Sequence, residues 1–166
     1  DAQQIRAVAR RIANTRDVGV KVVAVVSAMG GTTDELINLA SQVSSRPQPR
    51  ELDLLLSSGE VVTCTLMAMA LRSLGYDAIS LTGLQAGIHT DTAHGRARIY
   101  KVEAGRVFKE LEAERIVVVA GFQGFTEDLD VTTLGRGGSD TSAVALAAAL
   151  KAERCEVYTD VEGIYT

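Results

Sequence analysis

Residues 132–150 read Thr132-Thr133-Leu134-Gly135-Arg136-Gly137-Gly138-Ser139-Asp140, then Thr141-Ser142-Ala143-Val144-Ala145-Leu146-Ala147-Ala148-Ala149-Leu150. A polar, glycine-rich loop runs directly into an alanine-rich segment of high helix propensity that contains no breaker. Three glycines within four positions (135–138) allow positive φ and close approach of the backbone to another group. Ser139 or Asp140 is expected to cap the helix by accepting an N–H of its first turn. The remaining N–H groups and the positive end of the dipole then face the loop, which suits an anion. Arg136 adds a planar cation that matches a carboxylate or phosphate. Asp140, an acid where an anion would bind, reads as a group that holds a cation or orients a lysine. A plain helix-capping turn uses the same residue types. The loop is neither a G-x-G-x-x-G fingerprint nor a P-loop, so its neighbours must decide.

Working outward, Ile116–Ala120 is a short β-branched run without alternation, read as a strand buried on both faces. It enters Gly121-Phe122-Gln123-Gly124-Phe125 and an acidic turn, Glu127-Asp128-Leu129-Asp130. Phe122, between glycines at a strand end, is either core or the wall of a pocket. Beyond the helix, Arg154–Thr159 reads as a last strand leading to Asp160-Val161-Glu162-Gly163-Ile164-Tyr165-Thr166. Nearer the start, Lys21–Ser27 is another buried strand. It ends in Ala28-Met29-Gly30-Gly31-Thr32-Thr33, where Thr32 and Glu35 have capping-box spacing. Strand, glycine turn and helix start form a second anion-binding geometry.

Residues 41–50 carry both prolines and read as a loop. Glu51–Leu74 is helical in pattern, with an expected kink or break at Ser57-Ser58-Gly59-Glu60. Glu60 is thus an acid in a helix break. Tyr76–Leu81 and Arg96–Tyr100 read as strands and Glu103–Ala113 as an amphipathic surface helix. The polar stretch between those strands holds both histidines, His89 and His94, and a structural metal there is disfavoured. Strands alternating with helices give an α/β fold with a mainly parallel central sheet sandwiched by helices in three layers. Ligands of such sheets sit at the carboxyl ends of the strands.

The 166 residues, 46% hydrophobic, suit one domain with a real core. A net charge of −4 and 4% aromatics argue against a nucleic-acid surface. No apolar run approaches the ~20 residues of a membrane span. Asp1–Arg16 reads as a surface helix with Ile5, Val8, Ala9 and Ile12 on one side. Cys64 and Cys155 read as small buried hydrophobes. The sequence opens inside a helical pattern and closes after a strand-like one, so both ends are expected to be cut.

The segments Ser27-Ala28-Met29-Gly30, Leu56-Ser57-Ser58-Gly59-Glu60, Ser80–Ile88, Gly121-Phe122-Gln123-Gly124, Thr133–Asp140 and Tyr158–Thr166 together, in order, resemble the aspartokinases of the amino-acid kinase family. The loop Leu81–Ile99 is most similar to bacterial members whose large subunit pairs with a small regulatory one. The resemblance implies ATP-dependent phosphorylation of the L-aspartate side chain, with Mg2+, in lysine, threonine and methionine synthesis. It implies that Arg136 clamps a substrate carboxylate, Ser139 hydrogen-bonds the substrate and Glu60 takes its ammonium. Ser27 and Thr33 would line the site, Phe122 would wall it, and Asp140 would orient a catalytic lysine. Gly30, Thr159, Asp160 and Tyr165 would contact the nucleotide. It further implies a cytoplasmic, allosteric oligomer with a small regulatory subunit as a candidate partner, and no nucleic acid or membrane.

The family's opening Lys-Phe/Tyr-Gly-Gly motif and its C-terminal ACT domains are not in these 166 residues. The four lysines, Lys21, Lys101, Lys109 and Lys151, all lie outside glycine loops. Residues 1–166 are therefore expected to be an incomplete kinase domain that is inactive alone. Other readings are a kinase for acetylglutamate, glutamate, carbamate or UMP, or a non-catalytic nucleotide-binding regulatory subunit.

Overall fold

The computed structural model describes residues 1–135 and 137–158. In chain order the elements are α1 (Ala2–Asp17), β1 (Val23–Val26), α2 (Thr32–Val43), α3 (Pro49–Ser73), β2 (Ala78–Leu81), β3 (Ile88–Thr90), β4 (Ile99–Val102), α4 (Gly105–Glu112), β5 (Ile116–Ala120), β6 (Gln123–Phe125), β7 (Val131–Thr133) and α5 (Gly138–Leu150). Strand β5 lies between β1 and β2, and all three run parallel, with Val25 opposite Val119 and Ser80 opposite Val118. Every residue of β5 is buried, as an apolar run without alternation demands.

Its side chains alternate between two cores. Ile116, Val118 and Ala120 pack with Ile5 and Ala9 of α1 and with Cys64, Met67 and Leu71 of α3. Val117 and Val119 pack with Val107 and Leu111 of α4 and Leu146 of α5. The result is the expected three-layer α/β arrangement. Leu71 is 0% exposed in the first core. Leu71→Ala should cost about 3 kcal/mol, read as a lower urea midpoint at unchanged slope.

A second, mixed sheet of four strands, ordered β4-β3-β6-β7, is joined by one parallel and two antiparallel pairings. Its strands β3, β6 and β7 are three residues each, too short to show a period. His89 consequently lies in a strand rather than in a loop. Residues 96–98, expected as strand, precede β4.

Several expectations are corrected. α3 is one continuous 25-residue helix, with no break at residues 57–60. A Cβ on Gly59 would lie 3.0 Å from Ala28 Cβ and 3.4 Å from Thr32 Cγ2, so this glycine lets the β1–α2 turn sit against the helix. By length and composition alone α3 could cross a membrane, contrary to the expected lack of such a run. Half of that apolar window is buried in the fold, which makes α3 a core helix.

Neither glycine-rich loop uses a side-chain cap. The N-caps are Gly31 and Gly137, both left-handed (φ 83° and 74°). Thr32 is therefore already inside its helix, and Ser139 and Asp140 belong to the first turn of α5 instead of preceding it. Cys64 is buried, donating weakly to Val118 O at 3.2 Å, and burial pushes its thiol up to about 11. Cys155 is exposed. Residues 154–158, expected as strand, form none.

Candidate active site

β1 and β5 end side by side, with Gly121 N–H donating to Val26 O at 2.9 Å. Two turns therefore open at one edge of the sheet, Ser27–Gly31 after β1 and Gly121–Phe122 after β5. The start of α5 rests on the second. A Cβ on Gly121 would lie 2.9 Å from Ser139 Oγ and 3.0 Å from Val25 Cγ1. A Cβ on Gly138 would lie 2.8 Å from Phe122 Cδ2. Phe122 has φ 66°, a conformation uncommon for an aromatic residue. It is held there by Ser142 Oγ, which accepts from its N–H at 3.1 Å, and by Leu134 N–H, which donates to its carbonyl at 2.9 Å. Such strain at a strand end persists where surrounding contacts over-determine it.

Glu60 faces the β1 turn from α3. It is 3% exposed, and its Oε1 accepts from Ala28 N–H at 3.1 Å. Its Oε2 is the one buried side-chain oxygen or nitrogen among the described residues without a hydrogen-bond partner. Burial pushes the Glu60 carboxyl above the ordinary glutamate range, partly offset by Ala28 N–H. A desolvated acid with an open acceptor is a receptor for a cation.

The sign of the pH dependence follows. Between the ordinary and the raised value the folded state keeps a proton that the unfolded state has lost, so this group makes the protein less stable as pH rises through that window. Glu60→Gln should flatten that part of a melting-temperature-against-pH curve.

The structure brings Ser27, Glu60, Phe122 and Ser139 to the common edge of β1 and β5. Gly30 is exposed in the β1 turn, and Thr33 is half-buried in the first turn of α2. Asp140 is exposed. It faces a cleft of about 770 Å³ along α5, whose opposite wall carries Arg96 and Arg98. Arg136, Thr159, Asp160 and Tyr165 lie outside the described residues.

His89 Nε2 meets Glu103 at 3.0 Å and His94 Nδ1 meets Asp53 at 2.8 Å, so both histidines are engaged with carboxylates. The sequence reading missed three groups that build the edge: Asp53, Gln123 and Ser142. Gln123 is buried and ties two elements together, donating to Ser57 O at 3.0 Å and accepting from Gly83 N–H at 3.2 Å. Asp53 carried a usable signal. The buried positions of α3, at 56, 60, 63, 64, 67 and 71, extend back at helical spacing to 53.

A parallel α/β sheet with two glycine-capped helix starts and a buried acid at its carboxyl edge has the groups that suit an anionic ligand also carrying positive charge. The chain belongs to the amino acid kinase family, whose model matches residues 1–166. It is 57% identical over 164 residues to the aspartokinase of Geobacillus stearothermophilus, covering 99% of this chain and 40% of that protein. The fold is similar to the crystal structure of aspartate kinase from Synechocystis, with a TM-score of 0.81, 49% identity, and coverage of 97% of this chain and 26% of that one. It is also similar to E. coli aspartokinase III in complex with aspartate and ADP, with a TM-score of 0.68, 33% identity, and coverage of 80% and 30%. The chain spans 40% of the length of the Geobacillus relative.

Proposed function

We propose that the complete polypeptide containing these residues is an aspartate kinase, and that residues 1–166 form part of its catalytic domain. The observation that carries this reading is the buried, unpartnered Glu60 Oε2 beside two glycine-capped helix starts. An α-amino acid brings an ammonium for Glu60 and carboxylates for the helix starts. The similarity to aspartokinases, one of them in complex with aspartate and ADP, supports aspartate and a nucleotide as the ligand pair.

In this reading the substrate is ATP complexed with Mg2+, whose coordination is met largely by phosphate oxygens and water. A side-chain carboxylate oxygen of aspartate attacks the γ-phosphorus, the bond to the bridging oxygen breaks, and ADP leaves, giving 4-phospho-L-aspartate. Two anions must be brought together, so positioning and charge neutralisation supply the catalysis. Arg136 clamps a carboxylate, Ser139 hydrogen-bonds the amino acid, and Ser27 and Thr33 line its site with Phe122 as a wall. Asp140 orients a lysine from elsewhere in the complete polypeptide. Gly30, Thr159, Asp160 and Tyr165 contact the nucleotide.

Carbamate, UMP and acetylglutamate lack a free α-ammonium and would leave Glu60 unanswered. An oligomer, with a second copy or a small regulatory subunit, is supported by an exposed apolar stripe on α3 formed by Leu54, Val62, Leu66 and Met69. The test is acceptor-dependent ADP release with the acyl phosphate trapped by hydroxylamine. L-aspartate should give a hydroxamate; acetylglutamate and UMP should not support turnover. Turnover with acetylglutamate and none with aspartate would overturn the reading.

A further inference from the structure

Asp53 sits seven residues before Glu60 on the same buried face of α3, and is 1% exposed. Its carboxylate is fully engaged. Oδ1 accepts from Thr133 Oγ1 at 2.6 Å and Gly95 N–H at 3.0 Å. Oδ2 accepts from Thr133 N–H at 3.1 Å, Gly95 N–H at 3.0 Å and His94 Nδ1 at 2.8 Å. These donors come from two segments, the end of β7 and the turn before β4, which Asp53 ties to one point of α3.

The two segments also hold each other. Ala97 N–H donates to Thr133 O at 2.9 Å, and a Cβ on Gly135 would lie 3.3 Å from Gly95 O. Thr133 is the last residue of β7, so its attachment to α3 fixes where the chain leaves for Leu134, Gly135 and the start of α5. Leu134 in turn donates to Phe122 O at 2.9 Å. Asp53 grips the entrance to one glycine-rich loop while Glu60, two turns along, grips the β1 turn through Ala28.

We propose that Asp53 is a positioning residue for the amino-acid acceptor: with Thr133 it sets the place of Leu134, Gly135 and the start of α5 relative to Glu60. α3 is thereby the bar that fixes the spacing of the two halves of the acceptor site. This rests on the kinase reading above. An ångström-scale shift of a positioned group is enough to cost up to about a hundredfold in rate.

The test is steady-state kinetics of the complete polypeptide with Asp53→Asn, Thr133→Val and Thr133→Ser, beside thermal unfolding and amide hydrogen exchange. Thr133→Val removes a single hydroxyl donor and guards against a failure of Asp53→Asn to fold. In folded Asp53→Asn and Thr133→Val, the KM for aspartate should rise about tenfold while that for ATP stays within about twofold. Thr133→Ser, which keeps the hydroxyl, should restore the wild-type value. An unchanged aspartate KM in a folded variant, equal shifts for both substrates, or no rescue by serine would overturn the proposal. If the wild type does not phosphorylate aspartate, the kinase reading fails separately. Hydrogen exchange then still judges the clamp, and full protection of the Gly95 and Thr133 amides in Asp53→Asn would overturn it.

Discussion

Glu60→Gln in the complete polypeptide is expected to raise the KM for aspartate by roughly thirty- to a hundredfold, about 2–3 kcal/mol, the cost of losing a charge-assisted contact in a desolvated site. The KM for ATP should stay within about twofold, because no ammonium is involved in nucleotide binding. Glutamine keeps the shape of the side chain and the acceptor for Ala28 N–H, so the β1 turn should hold its place. The same substitution removes a buried charge whose Oε2 has no partner, and the ligand-free protein should therefore melt at a higher temperature. Opposite signs for stability and aspartate affinity identify a group kept for its ligand. A fall in both would mark Glu60 as a structural acid.

The second large effect belongs to Gly87, at the entrance to β3. Its φ is +75°, and a Cβ there would lie 2.1 Å from the carbonyl oxygen of Glu103 and 2.7 Å from its carbonyl carbon. Glu103 N–H also donates to Gly87 O at 2.8 Å, so the two backbones cannot separate without losing that bond. Gly87→Ala combines backbone strain with a clash against main chain, and should destabilise by more than about 4 kcal/mol in denaturant unfolding. Gly105 is the control. It starts α4, and a Cβ there would meet nothing within 4 Å. Gly105→Ala should be neutral or stabilising by up to about 1 kcal/mol. Equal costs at the two positions would contradict the packing described for the second sheet.

The central sheet was legible because its strands are short segments rich in aliphatic and β-branched residues, with β5 at the centre buried on both faces. Lys21–Ser27 and Ile116–Ala120 stand out as β-branched runs and Tyr76–Leu81 also reads as a strand, and β1, β5 and β2 fall within these three segments. In the second sheet β4 was legible with its start misplaced, while β3, β6 and β7 were not, since three residues carry no period. α3 was misread at Gly59 because sequence does not tell a glycine that breaks a helix from one that admits a neighbour. Here the neighbour is Ala28.

The same error placed Glu60 in a break, when its burial in an unbroken helix is what makes its second oxygen costly. The caps were misassigned for a related reason. Gly31 and Gly137 take the left-handed conformation themselves and leave the first-turn N–H groups without a side-chain acceptor. Asp53 escaped notice as one more acid in a charged stretch, although it continues the buried stripe of α3 by one further step.

The most direct measurement is the position of the amino group in a structure of the complete polypeptide bound to L-aspartate. The site described here requires that nitrogen within about 3 Å of Glu60 Oε2, with the carboxylates toward the start of α5. An amino group well beyond hydrogen-bond reach of Glu60, with that oxygen still unpartnered in the complex, would contradict it.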